Sequence, residues 1–128
     1  MPVNGNMKKA ILFLLVLSGI VAAGCKKETV DKIECDNTGF TTSTVKYSTT
    51  VVSILQPNCY SCHSNATQLG GVNLEGFANA KIYADNGKLL NTIAHTSGFS
   101  AMPQNASKLP QDQICKIKFW IENGTLNN

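Results

Sequence analysis

Cys59-Tyr60-Ser61-Cys62-His63 is the five-residue stretch on which the reading of this chain turns. Two thiols stand three positions apart, with an imidazole directly behind the second. A C-x-x-C-H run is the attachment signature of c-type haem. The spacing has a chemical reason. The two thiols add across the two vinyl groups of the porphyrin, so they must sit a fixed few residues apart on one turn. The adjoining histidine then lies under the iron as its proximal ligand. On this reading Cys59 and Cys62 are the covalent attachment sites of one haem c, and His63 is an iron ligand. Two other chemistries use similar residues. A thioredoxin-like dithiol wants a strand before the motif and a βαβ pattern around it, which the flanking sequence lacks. A zinc site needs a fourth ligand, for which His95, Cys35 and Cys115 remain candidates.

A six-coordinate iron also needs a ligand from the distal side. Of the three methionines, Met1 and Met7 belong to the leader described next, which leaves Met102, followed at once by Pro103. A thioether is a soft ligand that favours ferrous iron and raises the reduction potential relative to a second imidazole. The neighbouring proline stiffens the loop that would carry it. Met102 is therefore the expected distal ligand, against the plainer alternative of a methionine filling a gap in the core. The competitor is His95, the only other histidine. If it is not a ligand, His95 reads as a distal-side polar residue bonded to a propionate, a water or the backbone.

Upstream, the N-terminus reads as an export signal. Lys8 and Lys9 form a basic start, and an apolar stretch runs from Ala10 through Ala23. It is too short for an ordinary membrane-spanning helix, which wants about 20 residues. Translation starts at Met1 or at Met7. The stretch ends in Val21-Ala22-Ala23-Gly24-Cys25, small residues before a cysteine that resemble a lipobox, with Ala22 where leucine is commoner. The expected organisation is a lipoprotein signal peptide over 1–24, a lipidated polar tether over 25–46 and a folded domain over 47–128. Acylation of Cys25 would make the mature chain a membrane-anchored lipoprotein, periplasmic or at the cell surface.

Composition narrows the field further. A chain of 128 residues with 43% hydrophobic and 15% charged content suits one globular domain. All eleven basic residues are lysines, and setting aside Lys8 and Lys9 leaves nine against eight acids. That balance lacks the dense cationic face that nucleic-acid binding requires. It also predicts weak electrostatic steering toward any partner. Neither a Gly-rich phosphate loop nor a persuasive acid–base pair for peroxide chemistry is present.

Apolar spacing predicts helices. The first spans about Ser48 to Gln56, with Tyr47, Val51, Ile54 and Leu55 on one face, Ser48 as N-cap and Pro57 as its stop. Its run of Thr49, Thr50, Val51 and Val52 would also suit a strand. The middle, Leu74 to Ile93, reads as two short helices broken at Asn86-Gly87. Leu74, Phe77, Ile82 and Tyr83 form one apolar face there, and Leu89, Leu90 and Ile93 the other. The last helix spans about Pro110 to Asn123, with Gly124 just past its end and Ile114, Ile117, Trp120 and Ile121 as its stripe. Cys35 and Cys115 are left over. In an oxidising compartment they are expected to pair, closing a loop of about 80 residues worth roughly 4 kcal/mol on the entropy model. The alternative is two unpaired thiols.

Taken in order, a helix, C-x-x-C-H, Gly70-Gly71-Val72-Asn73-Leu74, a Met102-Pro103 loop and a final helix with Trp120-Ile121 and Gly124 resemble the class I cytochrome c family. The chain is similar in particular to short cytochrome c-like lipoproteins of Bacteroidetes-type bacteria, which also end in W-I-x-x-G-x-x-N-N. The resemblance covers about Cys35 to Asn128. It implies an all-α, cytochrome c-like domain around one covalent haem, with thioethers at Cys59 and Cys62, His63 proximal and Met102 distal. It also implies that the first and last helices cross, bringing Val51, Ile54 and Leu55 against Ile117, Trp120 and Ile121. The expected function is one-electron transfer by a monomer that docks on redox partner proteins of the cell envelope, and not enzymatic turnover. The alternatives are a haem-based ligand sensor or haem enzyme accessory module, which needs a weak or absent sixth ligand, and a haem-free envelope interaction domain.

Overall fold

The structure, a computed structural model, describes residues 33–128. The leader over 1–24, the lipid site at Cys25 and residues 26–32 of the tether lie outside the described residues. Among the described residues the regular elements are all helical, with no strand. A π-helical turn, Tyr47–Val51, runs directly into α1, Val52–Cys59. A single 3-10 turn, Leu69–Gly71, precedes α2, Phe77–Asp85, then α3, Lys88–Ile93, and α4, Gln111–Glu122.

The first helical run differs from expectation at both ends. Ser48 is not its cap. The run begins a residue earlier, after an extended Lys46 that supplies no side-chain cap. Its first free N–H groups are satisfied from the other end of the described chain: Tyr47 N–H donates to Asn128 Oδ1 and Ser48 N–H to the Asn128 carbonyl, each at 2.9 Å. Helix N-termini always leave such donors, and here a distant asparagine does the work of a local cap. Pro57 does not stop the helix either but lies inside α1. It deprives the Ser53 carbonyl of a donor, yet both residues are exposed, so water can take that position. The β-branched run Thr49–Val52 is helical because packing outweighs local preference, with Val51 fully buried.

The core gathers Val51, Ile54, Leu55, Ile114, Ile117 and Trp120, all at most 4% exposed. The last helix meets the first run chiefly at the π turn, where the Tyr47 and Trp120 rings lie 5.6 Å apart. Phe77 adds an edge-on contact to Tyr47 at 5.1 Å. Ile121, expected in the stripe, is only half-buried. Ile82 is a clearer departure, at 59% exposure. The face that α2 turns inward carries Ala80 and Ala84 instead, whose small side chains let the helix lie close to its neighbours. The expected break at Asn86-Gly87 is present. Gly87 takes a φ of +77°, and Asn86 Oδ1 accepts from Lys88 N–H at 3.0 Å.

α4 closes as its sequence predicts, with Gly124 at φ +93°. Gly124 N–H bonds to the Ile121 carbonyl and Thr125 N–H to that of Trp120, the paired pattern of a Schellman end. The tail beyond is tied down. Trp120 Nε1–H donates to the Leu126 carbonyl at 2.8 Å. Buried Thr125 accepts from Lys81 Nζ at 2.7 Å and donates to Asp85 at 3.0 Å. Lys81 also bridges Asp85 at 2.8 Å, and these contacts hold the exposed Asp85 carboxyl below its usual range.

Within the segment expected as a tether, residues 33–46 pack on the domain. Cys35 and Cys115 form a disulfide across 80 residues, with Cα atoms 5.5 Å apart. Gln111 Nε2 donates to the Glu34 carbonyl at 2.8 Å, Phe40 meets Phe119 edge-on at 5.7 Å, and Val45 is 4% exposed. A chain this short has little core of its own, so a crosslink over so long a loop carries weight. Replacing both cysteines by serine should lower unfolding stability by about 3–4 kcal/mol, read as a lower urea midpoint. An unchanged midpoint would contradict the placement of this segment on α4.

Candidate functional site

α1 delivers the motif. Cys59 is its last residue and is buried, whereas Cys62 is exposed. The Cys59 carbonyl accepts from Cys62 N–H at 3.1 Å and His63 N–H at 2.9 Å, so the five residues close a single turn. The following loop is pinned back on that turn: Leu69 N–H donates to the Cys62 carbonyl and Leu74 N–H to the His63 carbonyl, both at 2.8 Å. Gly70 and Gly71 make the return, at φ +67° and +72°. Open space surrounds both, so backbone conformation rather than crowding calls for glycine there.

Met102 arrives from the other side of the sequence, on the loop after α3. Its N–H donates to the Thr92 carbonyl at 3.0 Å, and its own carbonyl lies 3.0 Å from His95 Nε2. The peptide bond joining Met102 to Pro103 is cis.

These two segments border one cleft of about 900 Å³. Cys59, Cys62, His63 and Met102 all line it, together with Leu74, Leu89, Ile93 and Leu109. The volume lies toward the upper end of the roughly 300–1,000 Å³ typical of small-molecule and cofactor pockets. Lys88 is the one charged residue in its lining, beside neutral polar groups such as Asn58, Gln104 and Asn105. His63 is half-buried, and its Nδ1 is buried with no hydrogen-bond partner. His95 does not line the cleft. It borders a separate hollow of about 550 Å³ with Glu34, Thr96 and Lys108, and of the three roles open to it apart from ligation it takes the bond to backbone. Cys35 and Cys115 are absent from the cleft wall. Sequence reasoning missed Lys88, Thr92 and Leu109. Leu109 stands alone in Ser107-Lys108-Leu109-Pro110, without a periodic partner to mark it as lining anything.

The geometry also bears on the other chemistries. Among the described residues no three His, Cys, Asp or Glu side chains gather as a metal-holding cluster. The three residues considered as a fourth zinc ligand are engaged elsewhere, two in the disulfide and His95 on the Met102 carbonyl. Cys59 and Cys62 are both free thiols, and burial pushes Cys59 up to about 11. A buried thiol held protonated is a poor nucleophile, so Cys59 is not the attacking sulfur of a redox dithiol. A haem makes different demands, for two free thiols, an imidazole and a thioether around an apolar hollow, and the residues present fit it.

The two thiols should differ in reactivity in chain prepared without cofactor. With a pKa near 11, Cys59 is about 0.1% thiolate at about pH 8, and that fraction grows roughly tenfold per pH unit. Iodoacetamide should therefore modify exposed Cys62 well before Cys59, with Cys59 catching up only as the solution becomes strongly alkaline. Equal labelling at mild pH, mapped by mass spectrometry, would contradict the buried position of Cys59.

Compared with protein-family models, curated proteins and solved structures, the chain finds no match in any of the three.

Proposed function

We propose that the protein is a monohaem c-type cytochrome that carries single electrons in the cell envelope. The observation that carries this reading is the convergence of two free thiols, an imidazole and a thioether on one largely apolar cleft. Cys59 and Cys62 would hold the porphyrin through thioether bonds, with His63 as proximal and Met102 as distal iron ligand. When bound, haem c supplies an iron centre that takes up and releases one electron. Leu74, Leu89, Ile93 and Leu109 are buried in the cleft wall and would help keep water from that centre, and a dry surround is one of the protein's means of setting a reduction potential. With His63 and Met102 both engaged, the site has no open position for a substrate, which favours a carrier over an enzyme or a gas sensor. Exposed Cys62 and the exposed apolar Leu69 and Phe99 in the cleft lining leave a route for electrons to redox partner proteins.

The finer fold assignment, a class I cytochrome c-like domain, belongs to the same proposal, as do export by the signal peptide over 1–24 and acylation at Cys25. Haem is attached to C-x-x-C-H motifs outside the cytoplasm, so export and motif support one another. The Cys35–Cys115 disulfide suits an oxidising compartment too. The protein would act as a monomer tethered by lipid to the membrane, periplasmic or at the cell surface, with no role in binding nucleic acid.

Production in a host that attaches haem provides the test. The purified protein should carry one haem that survives denaturation, visible as added mass and as a ferrous c-type absorbance spectrum. Changing Cys59 and Cys62 together to alanine should abolish covalent retention. Ferrous wild-type protein should resist carbon monoxide, and Met102→Ala should admit it. A colourless product with the mass of the bare polypeptide would sink the proposal.

A further inference from the structure

His95 departs from what its place in the chain calls for. It follows Ala94, the residue that closes α3, and adopts a φ of +55°. Helices commonly use glycine at this position, because a β-carbon is crowded in the left-handed region. An imidazole kept there invites a reason found in its side chain. The ring reaches the loop that carries the cleft methionine, with Nε2 3.0 Å from the Met102 carbonyl oxygen. A carbonyl can only accept, so Nε2 carries the proton and donates. The Met102 N–H is meanwhile given to the Thr92 carbonyl at 3.0 Å. Both backbone polar groups of Met102 are thus fastened to the end of α3, one by main chain and the other by His95. Pro103, next in line, has no N–H with which to add a third tie.

We propose that His95 is a positioning residue that holds Met102 in the cleft, and that it governs how firmly the thioether is presented to the haem iron. The proposal rests on the haem reading for its target, although the clamp itself is a feature of the polypeptide. Holding an otherwise irregular loop at the one residue whose sulfur matters lowers the entropy lost when that sulfur is engaged. His95 does this without lining the cleft, so it acts through Met102 and not on the cofactor directly.

Three variants of the haem-loaded protein separate the clamp from a merely structural role. His95→Ala removes the donor and keeps the backbone strain. His95→Gly removes the donor and relieves the strain, which guards against simple misfolding. His95→Gln restores an N–H donor. The readouts are the sulfur-to-iron charge-transfer band of the oxidised protein, the reduction potential, and hydrogen exchange at the Met102 amide. In the alanine and glycine variants we expect the band to weaken and the potential to fall at unchanged haem content. The fraction of molecules with sulfur off the iron should rise about fivefold, the factor carried by one lost hydrogen bond. Exchange at the Met102 amide should quicken by a similar factor, and glutamine should recover much of each signal. Band, potential and exchange in both variants equal to wild type would overturn the proposal. So would a protein that carries haem but lacks the band, with Met102 exchange indifferent to His95. That outcome leaves haem attachment standing, whereas a colourless wild type whose Met102 exchange still depends on His95 would uphold the clamp and remove the haem reading.

Discussion

Trp120 is 2% exposed, its ring packs 5.6 Å from Tyr47, and its Nε1–H is spent on the Leu126 carbonyl. Through these contacts one indole joins the last helix, the start of the first helical run and the tail. The arrangement matters because α1 is only eight residues long and carries the motif at its far end. A helix that short is marginal by itself and takes its direction from what it packs against. Fixing the π turn against α4 therefore sets where Cys59 emerges and which way the motif turn faces. Asn128 reinforces the same joint by accepting from Tyr47 and Ser48 N–H and donating to the Thr42 carbonyl at 2.9 Å.

The cleft is built largely from helix ends and loops. The motif turn leaves the C-terminal end of α1, and the Met102 loop is fastened to the C-terminal end of α3. Five residues of the buried core, Cys59, Leu74, Leu89, Ile93 and Leu109, also line it. The core and the cleft therefore share a wall. In a chain of this size a hollow of about 900 Å³ removes a good deal of potential packing. On the haem reading the cofactor restores that packing, and the loops at 64–74 and 95–109 gain a surface to rest on.

Much of this could be read from the residues because local chemistry decided it. C-x-x-C-H closes a single turn, Asn86-Gly87 breaks a helix through its own left-handed glycine, and Gly124 ends one in the same way. The stripe Ile114, Ile117 and Trp120 repeats at helical spacing and is buried. What escaped reading depends on distant partners. No local pattern identifies Asn128 as the cap of a helix 80 residues earlier, or Lys81 and Asp85 as the anchors of Thr125. Pro57 is a strong helix stop in isolation, and only its exposed position explains why the helix continues. The stretch 33–46 looks like solvated linker by composition, and its attachment rests on a few scattered residues, chiefly Cys35, Phe40 and Val45, with hydrogen bonds to its backbone from Gln111 and Asn128. Within the cleft, the motif thiols, His63 and Met102 were accessible to sequence reasoning, whereas for His95 the sequence offered propionate, water or backbone without singling out the Met102 carbonyl.

Crosslinks and regular structure are distributed unevenly over the described residues. The disulfide, the Tyr47–Trp120–Phe77 aromatic group and the tail network all lie outside the lining of the cleft. The cleft's own chemistry sits on segments with little regular structure, where a few backbone hydrogen bonds do the positioning. On the proposed reading such a division would let the scaffold form while the motif turn stays open to the cofactor, since loops with few buried contacts reorganise at lower cost than packed helices. It also concentrates the burden of order on a small number of bonds. Near Met102 those are the Thr92 and His95 contacts, and near the motif they are the bonds from Leu69 and Leu74 back to Cys62 and His63. If the cleft holds haem as proposed, that economy would suit electron transfer, because a centre whose ligands are already held in position needs little rearrangement between its two charge states.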